Sequence, residues 1–232
     1  MKIKQFRYAS DNLGYLIYGK KDAVAVDGGA VGAILSFLET ERIGLKFVTN
    51  THSHADHTMG NRPLMKASDA DYLDHKILSE KGGFELEGRR IVVYPTPGHT
   101  MDAVTFHFED IVVTGDTLFN GTVGNCFSND LRRFFKSIQK LLSLPGETVV
   151  YAGHDYVKDA MAVAKRIEPD NADIDRFLAA YSPNHVRSIV ADERRINPYV
   201  RYNEPGIISF LEGKGLPVAT EYERWKSIMS ID

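Results

Sequence analysis

Short groups of strands separated by helices, a chain of 232 residues, and 43% hydrophobic content against 25% charge predict an α/β (α+β) protein. Helices should pack outside stacked sheets, because each group of strands carries apolar residues that need cover. One large core, or a core with a small appendage, suits this length, since single cores stop growing near roughly 250–300 residues.

The chain opens with three strands, Ile3–Tyr8, Leu13–Tyr18 and Ala23–Asp27, rich in β-branched and aromatic residues and broken at Asn12, Gly19 and Lys20. Ala30, Ile34, Phe37 and Leu38 recur at helical spacing and predict a helix over Ala30–Arg42, ended by Gly44. Lys46–Thr49 is the next strand and runs straight into THSHADHTMGN. Ser68 is read as the cap of a helix over Ser68–Leu78. Strands return at Phe84–Glu87, Ile91–Tyr94, Val104–Phe108 and Ile111–Thr114. Asn129–Leu142 is amphipathic and helical until Leu144-Pro145-Gly146 stops it, Thr148–Ala152 is a further strand, and Lys158–Arg166 a further helix. A boundary falls near Glu168-Pro169-Asp170-Asn171. Residues 1–168 form the core, and 169–232, interrupted at Pro183, Pro198, Pro205 and Pro217, read as a small appendage of short helices packed on it.

Charge limits the partners. With 28 Lys+Arg against 31 Asp+Glu and a net charge of -3, the chain has no basic field for a phosphate backbone, so nucleic acid is not expected. No apolar run approaches the roughly 18 residues of a membrane span, and MKIKQFRYASDNLGYL lacks a signal-peptide core, so a cytoplasmic protein with no membrane partner is expected. Cys126 is the single cysteine and cannot make an internal disulfide.

The chemistry is concentrated in HxHxDH, formed by His52, His54, Asp56 and His57 directly after a strand. Imidazole and carboxylate are the ligands a divalent first-row metal prefers, and their spacing in a loop lets one pair face one way and one pair the other. His99 in PTPGHT, Asp116 in VVTGDTLF and His154 in VVYAGHDY each follow an apolar run, as if placed at the same sheet edge. Two metal sites result: His52, His54 and His99 on the first, Asp56, His57 and His154 on the second, with Asp116 bridging. Asp56 and Asp116 are the carboxylates expected in the chemistry. Asp27, ending a strand, is the candidate to hold the far ring nitrogen of a ligand histidine, with a turn-forming role before Gly28-Gly29 as the alternative. His75, His107 and His185 lack such settings and are read as structural.

With these motifs the chain resembles the metallo-β-lactamase superfamily and, within it, the glyoxalase II (hydroxyacylglutathione hydrolase) branch. The likeness runs through THSHADHTMGN, TPGHT, GDTLF and GHDY, and on to IVADERRINPYVR in the tail. It implies a four-layered αββα sandwich, two divalent metal ions (zinc, with iron or manganese as alternatives), and a C-terminal helical region that covers the substrate. Tyr156 and Lys226 match substrate contacts of the family. Asn125 and Phe127 stand where glutathione-using members carry a cation and an aromatic hydroxyl, and Glu223 where they carry an arginine, which leaves glutathione open as the thiol.

The resemblance implies a metal-dependent hydrolase in which a hydroxide bridging the metals attacks an S-acyl thioester, its water acidified from a pKa of 15.7 to roughly 7. The partner expected is a small-molecule thioester, with a second copy of the chain as an open alternative to a monomer. The rival is a persulfide dioxygenase, an oxidoreductase of the same fold holding one iron by His52, His99 and Asp116. GDTLF, where that group carries GDALL, leans toward the hydrolase.

Overall fold

The structure is a computed structural model and describes residues 1–231. Five strands, β1 (Lys2–Tyr8), β2 (Asn12–Tyr18), β3 (Asp22–Val26), β4 (Gly44–Thr49) and β5 (Asp71–Tyr72), form one sheet in sequence order. Six more, β6 (Gly83–Leu86), β7 (Arg89–Pro95), β8 (Val104–Phe108), β9 (Ile111–Gly115), β10 (Val149–Ala152) and β11 (Ser188–Ile189), form a second in the order β11-β10-β9-β8-β7-β6. The helices are α1 (Val31–Glu41), α2 (Ala55–Thr58), α3 (Asn61–Ser68), α4 (His75–Glu80), α5 (Leu131–Leu142), α6 (Val157–Ile167), α7 (Ala172–Ala180), α8 (Val190–Ile196), α9 (Pro205–Gly213) and α10 (Glu221–Ile228).

Strand β2 is apolar on both faces and buried on both, so it needs cover from two sides. Leu13, Tyr15 and Ile17 point toward the second sheet, where Val93, Phe106, Phe108 and Val113 complete the central core. Leu16 points the other way and packs with Ala23 and Ala25 against Ile34 and Leu38 of α1 and Leu64 of α3. On the outer face of the second sheet, Val112 and Val150 meet Phe134, Ile138 and Leu141 of α5 and Trp225 of α10. Four layers follow, helices outside two facing sheets, as the sequence implied.

Two readings need correction. The helix expected over Ser68–Leu78 is two helices, with Ser68 ending α3 and its hydroxyl donating back to Leu64 O at 2.7 Å. Asp69 turns left-handed (φ 51), β5 intervenes, and Asp74 caps α4 by accepting from Lys76 N and Ile77 N. The strand pattern also does not stop at residue 168, since β11 pairs antiparallel with β10 and makes the tail the edge of the second sheet. Arg201 of the tail grips Glu168 with two 2.8 Å bonds. No helix among the described residues is long and apolar enough to cross a membrane.

Candidate metal centre

Strand direction brings the polar loops together. Strands β3 and β4 run parallel, as do β9 and β10, and β7 shares their sense because β7 and β9 are both antiparallel to β8. The residues after β3, β4, β7, β9 and β10 therefore meet at one edge of the sandwich, and these segments carry Asp27, His52 to His57, His99, Asp116 and His154. Glycine precedes three of them for steric reasons. A Cβ on Gly153 would collide with Asp116 Oδ1 and come within 2.9 Å of His57 Cε1, and one on Gly115, whose φ is 51, would collide with Thr51.

Two clusters of ligand atoms result. His54 Nδ1 lies 3.0 Å from His52 Nε2 and 3.1 Å from His99 Nε2. His57 Nε2 lies 3.2 Å from His154 Nε2, and Asp56 Oδ2 is 3.5 Å and 3.4 Å from those two nitrogens. Asp116 sits between the clusters, with Oδ1 3.4 Å from His57 Nε2 and Oδ2 3.4 Å from both His99 Nε2 and His154 Nε2.

The far ring nitrogens decide what these clusters can hold. His57 Nδ1 donates to Asp27 Oδ2 (2.9 Å), His154 Nδ1 to Asp11 Oδ1 (2.8 Å) and His99 Nδ1 to the Asn125 carbonyl (2.9 Å). His52 Nδ1 donates to Thr51 Oγ1 (3.0 Å), which passes its own proton to Asp27 Oδ2 (2.7 Å). Each imidazole thus turns a lone pair inward toward another lone pair or a carboxylate, an arrangement that calls for positive charge at its centre. Asp116 Oδ1, buried with no hydrogen-bond donor, is a further sign of the same demand. Burial, with help from His57, lowers the His52 pKa to about 4, so its lone pair is free at neutral pH. Burial also opposes charge on His57, but Asp27 and Asp116 outweigh it and raise its pKa to about 11: the carboxylates draw a cation to this spot, which a proton or a metal ion can supply. The donor set, mostly imidazole with carboxylates, fits divalent first-row metals.

A sequence profile of the metallo-beta-lactamase superfamily matches residues 10–79 and 71–154. The chain belongs to the metallo-β-lactamase superfamily. Hydroxyacylglutathione hydrolase of Chromohalobacter salexigens is 30% identical over 210 residues, covering 83% of this chain and 82% of the relative. The enzyme of the same name from Anaeromyxobacter dehalogenans is 34% identical over 219 residues, covering 87% and 86%. Among solved structures, ETHE1 from Myxococcus xanthus superposes with a TM-score of 0.70 at 23% identity, covering 99% of this chain and 90% of that one, a likeness of fold.

In this metallo-β-lactamase-fold enzyme the substrate-side candidates separate. The Phe127 ring stands edge-on to His54 and His99, with centroids 5.8 Å and 5.2 Å away. Asn125 serves through its backbone, as the acceptor for His99. Tyr156 stacks flat on His154 at 5.1 Å, and burial, reinforced by Asp11, Asp116 and Asp56, pushes its pKa to about 12, so it stays a phenol. Lys226 lies with Glu223 beside Leu216 and Pro217, in a hollow of about 340 Å³ between α9 and α10. The three histidines read as structural are bound elsewhere: His75 to Asp102 (3.1 Å), His107 to Tyr94 and the Glu109 carbonyl, His185 to Tyr151 (2.9 Å). Sequence reasoning missed Asp11 and Asn12, whose amide donates to Asp56 Oδ2 (2.9 Å), and Tyr8, whose hydroxyl donates to the Asp56 carbonyl (3.0 Å). Alternation along β1 and β2 says nothing of these roles, because the tip of the hairpin meets its partners only in the folded chain.

Proposed function

We infer that this enzyme is a thioester hydrolase of glyoxalase II type. The observation that carries this is the second cluster, Asp56, His57 and His154, standing across Asp116 from the first, which gives the edge room for two cations. The named relatives, hydroxyacylglutathione hydrolases at 30–34% identity over most of the chain, support the same reading. Divalent ions held there would supply a water acidic enough to attack at neutral pH and a Lewis acid for the acyl carbonyl.

The chain's own residues do the positioning. Asp27, Asp11, Thr51 and the Asn125 carbonyl fix four imidazoles in one tautomer and orientation, so no reorganisation is needed during turnover. Asn12 holds the Asp56 carboxylate from the side of β2. Tyr156, a neutral phenol over His154, offers a hydrogen-bond donor to substrate oxygen beside the second cluster.

The oxidoreductase alternative uses His52, His99 and Asp116, which are also together, with Asp116 Oδ2 4.0 Å from His52 Nε2 and 3.4 Å from His99 Nε2. It leaves Asp56, His57 and His154 without employment. Metal analysis and two assays separate them: close to two ions per chain with hydrolysis of acyl thioesters is the expected outcome. One iron per chain, with oxygen uptake on a persulfide and no thioesterase activity, would replace the hydrolase by the dioxygenase.

A further inference from the structure

Among the described residues, three of the five large apolar side chains left in solvent stand within two residues of a candidate ligand or against its ring. Phe127 is 62% exposed, Met59 58% and Met101 51%. Met59 follows His57 by two residues, Met101 follows His99 by two, and Phe127 leans on the rings of His54 and His99. Ile77, also exposed, is on α4, which is tied to the Met101 turn through His75 and Asp102. Asp102 in turn accepts from Ser53, inside the ligand loop. Exposed apolar groups scattered singly mean little, but a group of them on the loops of one site marks what that site contacts.

The polar partners around the ligands carry the opposite message to a charged substrate. They are carboxylates, amides, hydroxyls and backbone carbonyls, and Asp11, Asp27, Asp56 and Asp116 together balance the charge of two divalent ions. The cation beside the Met101 turn, Lys76, is paired with Asp102 (3.5 Å), so a thiol bearing several carboxylates would find no unpaired positive charge among these partners, whereas an uncharged hydrocarbon group would cover Phe127 and the methionines.

We propose that Phe127 and Met101 beside the first cluster, with Met59 two residues past His57 of the second, form an apolar lip on the metal edge that selects thioesters carrying an uncharged, apolar group beside the scissile bond. This rests on the thioesterase reading. Methionine adapts to different shapes, so the lip accepts a class of groups rather than one. The group can be the acyl chain or the thiol, and two substrate series tell them apart: acetyl, butanoyl and hexanoyl thioesters of N-acetylcysteamine, and acetyl thioesters of N-acetylcysteamine, benzyl thiol and glutathione.

A lip covering one side of a chain is worth about twofold in kcat/KM per methylene, so roughly tenfold or more from acetyl to hexanoyl, or a similar gain from N-acetylcysteamine to benzyl thiol over glutathione. Phe127→Ala, checked for unchanged metal content, should shrink that ratio to about threefold, and Met101→Ala should shrink it less. Hydrolysis with no trend in either series, or a trend untouched by Phe127→Ala, overturns the proposal and leaves the thioesterase reading standing. Hydrolysis of none of these esters by metal-loaded protein overturns both. A dimer in sedimentation that Phe127→Ala dissociates, with selectivity unaltered, would give the lip to self-association and overturn the proposal as well.

Discussion

Asp27 is the residue on which most of the metal centre's geometry converges. It has no exposed surface, adopts φ 52, and accepts from Thr51 N (2.8 Å), Thr51 Oγ1 (2.7 Å) and His57 Nδ1 (2.9 Å). Asp27→Asn keeps the shape but turns an amide toward one of three donors, and such orienting partners are worth about 10–100-fold in metal affinity. Chelator competition on the purified variant should show that loss, and unchanged affinity would remove Asp27 from the site. Glu193 is a second buried carboxylate, fully enclosed, accepting from Gly121 N (3.1 and 3.0 Å), Ser188 Oγ (2.6 Å) and Asn197 Nδ2 (2.8 Å). Burial outweighs these donors and pushes its pKa from 4.5 up to about 7. A raised folded pKa means that the stabilisation is complete below the unfolded value and is lost as pH rises through the folded one. Denaturant melts should therefore lose roughly 3 kcal/mol between about pH 4.5 and pH 7 from this group, and Glu193→Gln should flatten that segment. The same slope in the variant would assign it to another group.

At the level of elements, ligand loops are held by close backbone approach as much as by hydrogen bonds. The turn from β10 into His154 passes so near Asp116 that Gly153→Ala must push the carboxylate from between the two clusters. Loss of bound metal in Gly153→Ala, with the far-ultraviolet circular dichroism retained, is the expected result; full metal content would show that the loop can yield. That these candidate ligands come together was legible because HxHxDH is local and each Gly-His or Gly-Asp step follows a recognisable strand. Asp11 was not, since its partner His154 lies 143 residues away. The helix Ser68–Leu78 was misread because the stretch offers two polar starts, Ser68 and Asp74, and only the second finds free backbone N–H groups in the fold. Two-residue strands such as β5 and β11 have no alternation to detect, so their pairing is decided by neighbours that sequence periodicity does not see.

Across the whole molecule, the ligand set draws on both sheets: His52 to His57 follow β4 of the first, while His99, Asp116 and His154 follow strands of the second. Metal held there would therefore tie the sandwich shut at one edge. With ligand at about a thousand times its Kd the gain is about 4 kcal/mol, or roughly 8–16 °C for a chain of this size. Differential scanning calorimetry before and after chelation should record that drop, and an identical Tm would mean the ions contribute nothing to the fold. The tail has its own hold on this edge. Strand β11 closes the second sheet beside β10, and Glu193, just beyond it, reaches back to Gly121 in the loop that follows Asp116. A ribosome delivers β11 and Glu193 after every ligand has already emerged, so a nascent chain halted before Ser188 would carry the full ligand set with the Asp116 loop still unclamped. Metal capture by stalled chains of increasing length should therefore rise once Glu193 has cleared the exit tunnel, and capture already complete in shorter chains would show that the Asp116 loop needs no such clamp.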